Sequence, residues 1–184
     1  MVMKRALIVV DMLNEYLLPA GKIYCDKCRE IIPTVSMAIE ICRTNEVLVV
    51  YVNSALRSTS VLVTKWGNHA MKGTKMAQVV DELSPSPGDV VVEKEGYDGF
   101  FQTNLEDVLR SHNIEEVAVC GIHTHVCVLM TAVGAFQRGL RVVALKDCMT
   151  TGYQPNHDTR LRFYSSHLGD IKTLQEWFSG FVRK

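Results

Sequence analysis

Short runs of apolar residues alternate with segments of helical periodicity along most of the chain. The first run, residues 6–10, is continuous and rich in β-branched side chains, which is typical of a strand buried on both faces of a sheet. Similar runs predict four further strands, over residues 47–52, 90–92, 117–120 and 142–145, and residues 170–173 are predicted to form a short edge strand.

Helical patterns occupy most of the intervals between these strands. Helices are predicted over residues 31–43, 76–83, 103–109, 126–137, 157–167 and 174–182. Thr103 is expected to cap its helix, because Glu106 stands at the spacing of a capping box. Residues 53–75 show little periodicity and are predicted to form a long loop, and loops of that length are usually functional.

This order of elements is typical of a three-layer α/β/α sandwich. Helices between successive strands make the crossovers long enough for parallel pairing. The sequence therefore predicts an α/β fold with a mainly parallel six-stranded sheet. The length of 184 residues fits one domain, which we take to span residues 1–184. Such sheets bind ligands beyond the carboxyl ends of their strands, so residues at those ends are the candidates for function.

Charge and composition exclude several classes of partner and location. Lys and Arg total 20, as do Asp and Glu, so neither nucleic acid nor an anionic membrane is an expected partner. No apolar run approaches the roughly 18 residues of a membrane span. The basic pair Lys4-Arg5 is followed by only five apolar residues before Asp11, too few for a signal peptide, so we expect a cytoplasmic protein.

The six cysteines are expected to be mostly reduced thiols in that compartment. Cys25 and Cys28 form a single Cys-x-x-Cys motif in a predicted loop. A zinc ribbon needs a second pair, and a redox motif normally follows a strand directly. We therefore interpret this pair as a local disulfide or as two ordinary thiols, with metal binding or redox function as the alternative.

Three reactive side chains follow predicted strands. Asp11 comes directly after strand one, Lys94 follows strand three, and Cys127 follows strand four and opens the next helix. A helix N-terminus and a nearby ammonium group both lower the pKa of a thiol from its usual value of about 8.5. Asp11 would take the thiol proton and pass it to a leaving amine, while backbone N–H groups at the helix start receive an oxyanion. This chemistry is acyl transfer through a thioester intermediate.

Each of the three residues also has an ordinary structural interpretation. An aspartate after a strand is often a turn or cap residue, and a lysine at a strand end is usually a solvated charge. A cysteine beside an apolar helix start is often a small buried hydrophobic residue. Spacing alone leaves these interpretations open beside the catalytic one.

Longer sequence strings carry a more specific signal. They are residues 6–16 (ALIVVDMLNEY), 66–74 (WGNHAMKGT), 94–105 (KEGYDGFFQTNL) and 121–128 (GIHTHVCV). Taken in this order, they resemble the motifs of the isochorismatase-like cysteine hydrolases, a superfamily that includes nicotinamidases and N-carbamoylsarcosine amidases. The resemblance extends over residues 6 to about 150. It implies a sheet with the strand order 3-2-1-4-5-6.

The resemblance also assigns roles to named residues. It implies a catalytic triad of Asp11, Lys94 and Cys127 and a cis peptide bond between Ile122 and His123. It further implies an oxyanion hole formed by the backbone N–H groups of His123 and Cys127. True isochorismatases lack this cysteine and cleave a vinyl ether, so the presence of Cys127 favours hydrolysis of a C–N bond.

Metal binding separates the branches of the superfamily. Nicotinamidases carry an Asp-x-His pair after strand two and a histidine in the tryptophan-containing motif. Here the end of strand two reads Asn53-Ser54-Ala55, and His69 is the remaining candidate ligand. A stable divalent site needs three or four ligands, so we expect no metal and no other cofactor. The N-carbamoylsarcosine amidase branch, which residues 66–74 resemble more closely, fits better.

Aromatic and polar residues beside these motifs are expected to line the substrate pocket. They are Trp66, His69, Tyr97 and Phe100. Arg57, in the long loop, is a candidate clamp for the carboxylate of a ureido acid, or else a solvated charge. His125 departs from the acidic residue often found at its position in the superfamily, and it either tunes Cys127 or contacts solvent.

These inferences predict a cysteine-dependent hydrolase of a small amide or ureido compound, similar to N-carbamoylsarcosine amidase. The enzyme would release ammonia through a covalent acyl-enzyme. One alternative is a nicotinamidase. Another, of a different class, is an inactive family member that acts as an oligomeric binding protein. Members of the superfamily commonly form homodimers or homotetramers, and we expect the same here.

Overall fold

A six-stranded sheet forms the centre of the computed structural model, which describes residues 3–152 and 154–180 of the chain. The strands are β1 (Arg5–Val10), β2 (Leu48–Ser54), β3 (Val90–Lys94), β4 (Glu116–Ile122), β5 (Arg141–Thr150) and β6 (Gly169–Lys172). Neighbouring strands are parallel, and their order is β3-β2-β1-β4-β5-β6. The expected fold class and strand order are confirmed.

Helices cover both faces of the sheet. They are α1 (Asn14–Leu17), α2 (Ile32–Thr44), α3 (Val61–Trp66), α4 (Leu105–Ser111), α5 (Cys127–Gln137), α6 (Gln154–His167) and α7 (Leu174–Ser179). Side chains of β1 alternate between two apolar layers. Leu7 and Val9 share one layer with α2 and α7, whereas Ile8 and Val10 share the other with α4 and α5. Because both faces of β1 are buried, its sequence is a continuous apolar run.

Helix ends differ from the predictions by a few residues. Helix α6 begins at Gln154, earlier than predicted, and α7 ends at Ser179, short of the predicted residue 182. Residues 181–184 lie outside the described residues. In the described ranges, no helix has both the length and the apolar composition needed to cross a bilayer.

Residues 76–83 do not form the predicted helix. This part of the chain instead has two short 3-10 turns, Lys75–Ala77 and Asp81–Leu83. Between these turns Val79 forms an antiparallel bridge with Leu13, so the backbone is extended where a helix was expected. Pairing with a distant segment outweighs the local helical pattern here.

The long loop predicted over residues 53–75 contains the short helix α3. The helix begins after Ser60, whose hydroxyl accepts a hydrogen bond from the Leu62 N–H group at 3.3 Å. Its length of six residues is less than two helical turns. So short a helix leaves too little periodicity to be recognised in the sequence.

The helix cap predicted at Thr103 is only partly present. Helix α4 begins at Leu105, and the Thr103 hydroxyl accepts a hydrogen bond from the Leu105 N–H group at 3.2 Å. Glu106 does not complete a capping box, because its carboxylate forms ion pairs with Arg110 at 2.8 Å and Arg138 at 2.7 Å. Two guanidinium groups hold this carboxylate away from the backbone of the cap.

Gly121 allows β4 to bend close to β1 where the strands end. Its φ angle is 103°, and a Cβ atom would lie 2.2 Å from the carbonyl oxygen of Val10. The register with β5 also shifts between Val119 and Gly121. The strand therefore leaves its regular path just before the turn at residues 123–126.

Cys25 and Cys28 form a disulfide with a Cα–Cα distance of 5.3 Å. This agrees with the first of the two ordinary interpretations of their motif. The other four cysteines are buried free thiols, namely Cys42, Cys120, Cys127 and Cys148.

Candidate active site

Asp11 lies at the carboxyl end of β1 and is buried. Its backbone N–H group donates to the carbonyl oxygen of Val52 at 3.1 Å. Its carboxylate accepts one hydrogen bond from the Ser54 N–H group at 2.7 Å and another from the Lys94 ammonium group at 2.8 Å. Groups on β2 and β3 therefore hold this carboxylate in one orientation.

Lys94 reaches Asp11 from two strands away. Strand β2 lies between β3 and β1, and Lys94 pairs with Ser54 in the register of β3 and β2. The ammonium group donates to Asp11 Oδ2 at 2.8 Å, to Ser54 Oγ at 2.9 Å and to the Gly96 carbonyl oxygen at 3.1 Å. An ammonium group has three N–H donors, so this buried cation is fully hydrogen-bonded. Ser54, which bridges the gap between the strands, was not identified as a site residue from the sequence.

Cys127 is the first residue of α5, and its thiol interacts with the side chains of both Asp11 and Lys94. Burial raises the pKa of this thiol, Lys94 lowers it and Asp11 raises it again, so that the net shift is upward. The lowered pKa expected from the sequence is therefore wrong. The ammonium group does not offset removal from water beside a carboxylate, so the thiol is neutral at rest.

The turn before α5 carries the backbone groups predicted to hold an oxyanion. The Ile122–His123 peptide bond is cis, as the resemblance implies. The His123 carbonyl oxygen accepts hydrogen bonds from the Val126 and Val128 N–H groups at 3.0 and 3.3 Å, which closes the turn. Cys127 opens the helix, so its N–H group has no acceptor within the helix. An oxyanion hole formed by the N–H groups of His123 and Cys127 stays a prediction.

A cavity of about 230 Å³ opens beside the thiol. Its lining residues are Asp11, Tyr16, Ile23, Ser54, Leu62, Trp66, His69, Tyr97, Ile122, His123, His125, Val126 and Cys127. The structure therefore places Trp66, His69 and Tyr97 in the wall of this cavity. Trp66 Nε1 donates to the Tyr97 hydroxyl at 2.8 Å and so connects α3 to the segment after β3.

Phe100 does not line this cavity, in contrast to the prediction. Its ring is buried in the layer that contains α4 and α5, and the guanidinium group of Arg138 lies 4.4 Å from the ring centroid. Gly134 of α5 makes room for the ring, because a Cβ atom there would lie 2.7 Å from it. Phe100 therefore packs a helix against the sheet rather than contacting the cavity.

Tyr16, Ile23 and Leu62 line the cavity but were not identified from the sequence. Tyr16 belongs to the first motif, and its ring lies 6.3 Å from that of His123 in an edge-on arrangement. The motif itself was therefore an available signal for Tyr16. Ile23 and Leu62 lie in segments without a motif or periodicity, so only their position in space identifies them.

The cavity contains two histidines from the turn before α5. Burial lowers the pKa of His123 to about 4, with a further contribution from His125, so the His123 ring is neutral at pH 7. Burial also lowers the pKa of His125, and Arg160 contributes to that shift. Because His125 lines the cavity, it is placed to contact a substrate.

Arg57 is not placed to clamp the carboxylate of a substrate. Its side chain is 67% exposed and forms an ion pair with Glu95 at 2.7 Å. It is also absent from the residues that line the cavity. The structure therefore agrees with a solvated charge at this position.

The donor groups near His69 do not fit the metal site of the nicotinamidase pattern. The Nδ1 atom of His69 lies 2.7 Å from the Gly67 carbonyl oxygen, and the end of β2 offers Asn53 and Ser54 instead of a carboxylate and an imidazole. Over residues 3–152 and 154–180, no group of three or more His, Cys, Asp or Glu side chains is arranged to hold a metal ion.

Glu15 connects two segments that form part of the cavity wall. It is buried, and its carboxylate oxygens accept hydrogen bonds from the backbone N–H groups of Lys22 at 2.6 Å and Ala70 at 2.9 Å. These two residues adjoin Ile23 and His69, which both line the cavity. One buried carboxylate therefore sets the spacing between two parts of the wall.

Glu15→Gln is expected to lower the free energy of unfolding by about 1–3 kcal/mol and to raise KM for the substrate. The amide keeps one acceptor oxygen, but its NH₂ group faces a backbone N–H group that loses its partner. Urea unfolding followed by circular dichroism measures the effect. Glu30→Gln, at an exposed position, is the control and should unfold at the wild-type midpoint. An unchanged midpoint for Glu15→Gln would contradict this role.

Known proteins resemble the chain over nearly its whole length. The isochorismatase domain family matches residues 5–176. N-carbamoylsarcosine amidase from Thermoplasma acidophilum is 33% identical, with a TM-score of 0.87 and a match that covers 95% of this chain and 98% of that one. Nicotinamidase from Bacillus subtilis is 26% identical, with a TM-score of 0.86 and coverage of 92% and 99%. Maleamate amidohydrolase from Pseudomonas putida is 25% identical over 180 residues, which are 94% of this chain and 84% of that protein.

Proposed function

The chain belongs to the isochorismatase family, and from this membership we propose that it is a cysteine hydrolase that cleaves a C–N bond in a small amide or ureido compound. The observation that carries the proposal is the contact of the Cys127 thiol with Asp11 and Lys94 at the wall of a cavity. Relatives named as amidases support the same reaction class.

In the proposed reaction Cys127 attacks the carbonyl carbon of the substrate while Asp11 takes the thiol proton. The N–H groups of His123 and Cys127 receive the negative charge that develops on the carbonyl oxygen. The C–N bond then breaks, and Asp11 returns the proton to the leaving nitrogen. Ammonia departs and a thioester remains on Cys127. Asp11 next takes a proton from water while the water oxygen attacks the thioester carbon. The C–S bond breaks, the acid leaves, and Asp11 returns the proton to sulfur to restore the thiol.

The raised pKa of the thiol explains why a base is needed in this site. A neutral thiol is a weak nucleophile, and the proton must leave as the carbon–sulfur bond forms. Asp11 is in contact with the sulfur and is the acceptor for that proton. The Lys94 ammonium group is paired with Asp11 at 2.8 Å and offsets the charge that develops on sulfur.

Two kinds of substrate follow from the relatives and from the walls of the cavity. Ureido compounds such as N-carbamoylsarcosine are candidates because the amidase named for that compound is 33% identical to this chain. Nicotinamide is a second candidate, because the aromatic rings of Tyr16, Trp66 and Tyr97 suit a flat ring.

Ammonia release from a panel of amides tests the proposed activity. The panel contains nicotinamide, N-carbamoylsarcosine, other ureido acids and simple aliphatic and aromatic amides. We expect release from at least one compound, at a rate that a chelator leaves unchanged. A rate that the chelator abolishes would contradict the metal-independent route. No release from any compound would favour a family member that binds small molecules without hydrolysing them.

A further inference from the structure

The cavity beside Cys127 has walls without a lysine or arginine among the described residues. Most of the lining side chains are apolar or aromatic, and the polar ones are chiefly hydroxyl and imidazole groups. The carboxylate of Asp11 is the negative charge at the inner end of the cavity, and it is bound to Lys94. The surface offered to a substrate is therefore nearly uncharged.

The cation closest to the thiol is already compensated. Lys94 is fully buried and uses its three donors on Asp11, Ser54 and Gly96. The His123 ring is neutral at pH 7, because burial lowers its pKa to about 4. Lys94 could bind an anion in the cavity only by giving up one of these hydrogen bonds. His123 could do so only by taking up a proton that its burial disfavours.

Cations outside the cavity are engaged or lie off its walls. Arg57 forms an ion pair with Glu95, and the Lys22 ammonium group donates to the Asn68 carbonyl oxygen at 2.8 Å. Arg160, on α6, acts on His125 through its charge but does not line the cavity. An experiment must therefore test whether Arg160 contributes to binding in the cavity.

The size of the cavity limits the substrate to a compact molecule. Its volume of about 230 Å³ lies below the range of roughly 300–1,000 Å³ for pockets that take drug-sized ligands. In liquid water, roughly eight molecules occupy that volume. A small acyl group of a few carbon atoms, or one ring, fills such a space.

We propose that this site selects uncharged amides with a compact apolar acyl group and rejects amides that carry a carboxylate. The inference rests on the proposed function and narrows its substrate class. A carboxylate among these walls would lose its hydration without gaining a cation, whereas an apolar group leaves water favourably. N-carbamoylsarcosine and maleamate, for which two relatives are named, both carry a carboxylate, so the proposal separates this chain from those relatives.

Three primary amides of equal heavy-atom number test the inference. They are 4-methylpentanamide, succinamide and succinamate, which differ in ending with an isopropyl, an amide or a carboxylate group. Binding to the Cys127→Ala protein is measured by calorimetry, so that affinity is read without turnover. Ammonia release by the wild-type protein gives kcat/KM for the same compounds. We expect succinamate to be the poorest ligand and substrate, by at least about 100-fold relative to 4-methylpentanamide.

The two measurements separate the inference from the proposed function. Binding of the neutral amides without any ammonia release would support the charge selection and contradict the hydrolase. Succinamate that binds as tightly as the neutral amides would overturn the inference. If the Arg160→Gln variant then lost its affinity for succinamate, Arg160 would be the cation that binds the carboxylate, although it does not line the cavity. If none of the three compounds binds at millimolar concentration, the cavity does not take compact amides and the inference is wrong.

Discussion

Cys127→Ala is expected to lower kcat/KM for ammonia release by at least about 10³-fold. The substitution removes the atom that forms the covalent bond to the substrate, and no other described thiol lies in the cavity. The backbone N–H groups of the turn remain, so the variant should still bind the substrate. Steady-state ammonia release with the best amide of the panel measures the loss.

Cys42→Ala is the matched control for this experiment. Cys42 is also a buried free thiol, but it lies on α2 and packs in the apolar layer that contains α2 and α7. Its removal should cost some stability and leave kcat/KM within about twofold of the wild-type value. Wild-type activity in Cys127→Ala would exclude the proposed nucleophile, whatever the control shows.

Lys94→Met is expected to lower the free energy of unfolding by about 3–5 kcal/mol and to abolish activity. Methionine keeps much of the length of the side chain but removes the charge. The Asp11 carboxylate, which is buried and bonded to Lys94 at 2.8 Å, would then remain without a counter-charge. Urea unfolding measures the loss, and an unchanged m-value shows that the comparison is between like states.

A double-mutant cycle distinguishes the lost charge pair from lost packing. Asp11→Asn combined with Lys94→Met removes both charges, so the double variant should be more stable than the sum of the two single losses allows. Lys72→Met is the control, because Lys72 pairs with Glu93 at the surface and both side chains are about half exposed. That substitution should cost less than about 1 kcal/mol. Additive losses in the cycle would mean that the ion pair does not carry the effect.

The pattern of apolar residues was sufficient for most of the fold. Burial on both faces makes a central strand such as β1 apolar throughout, so the central strands left clear runs in the sequence. The order of the strands did not follow from periodicity and came from the resemblance to a known superfamily. The helix predicted over residues 76–83 was wrong because Val79 pairs with Leu13, and a single sequence shows no sign of such distant pairing.

The sequence by itself identified the candidate residues, through the spacing of the strand ends together with the resemblance to a known superfamily. Asp11 and Cys127 follow strands of a parallel sheet and Lys94 ends one, and the carboxyl ends of such strands share one edge. This argument places them near one another without saying how they meet. The tertiary structure shows that Ser54, at the end of the intervening strand β2, is hydrogen-bonded to both Asp11 and Lys94.

The ionisation of the site and the walls of its cavity were decided by the tertiary structure. The neutral state of the Cys127 thiol depends on how far water is excluded and on the distance to Asp11, and neither quantity is local in the sequence. In the same way, Ile23 and Leu62 line the cavity and Phe100 does not, because segments far apart in the chain pack together there. Residue type and spacing determine what chemistry is possible, whereas burial and distance determine the charge and shape with which it operates.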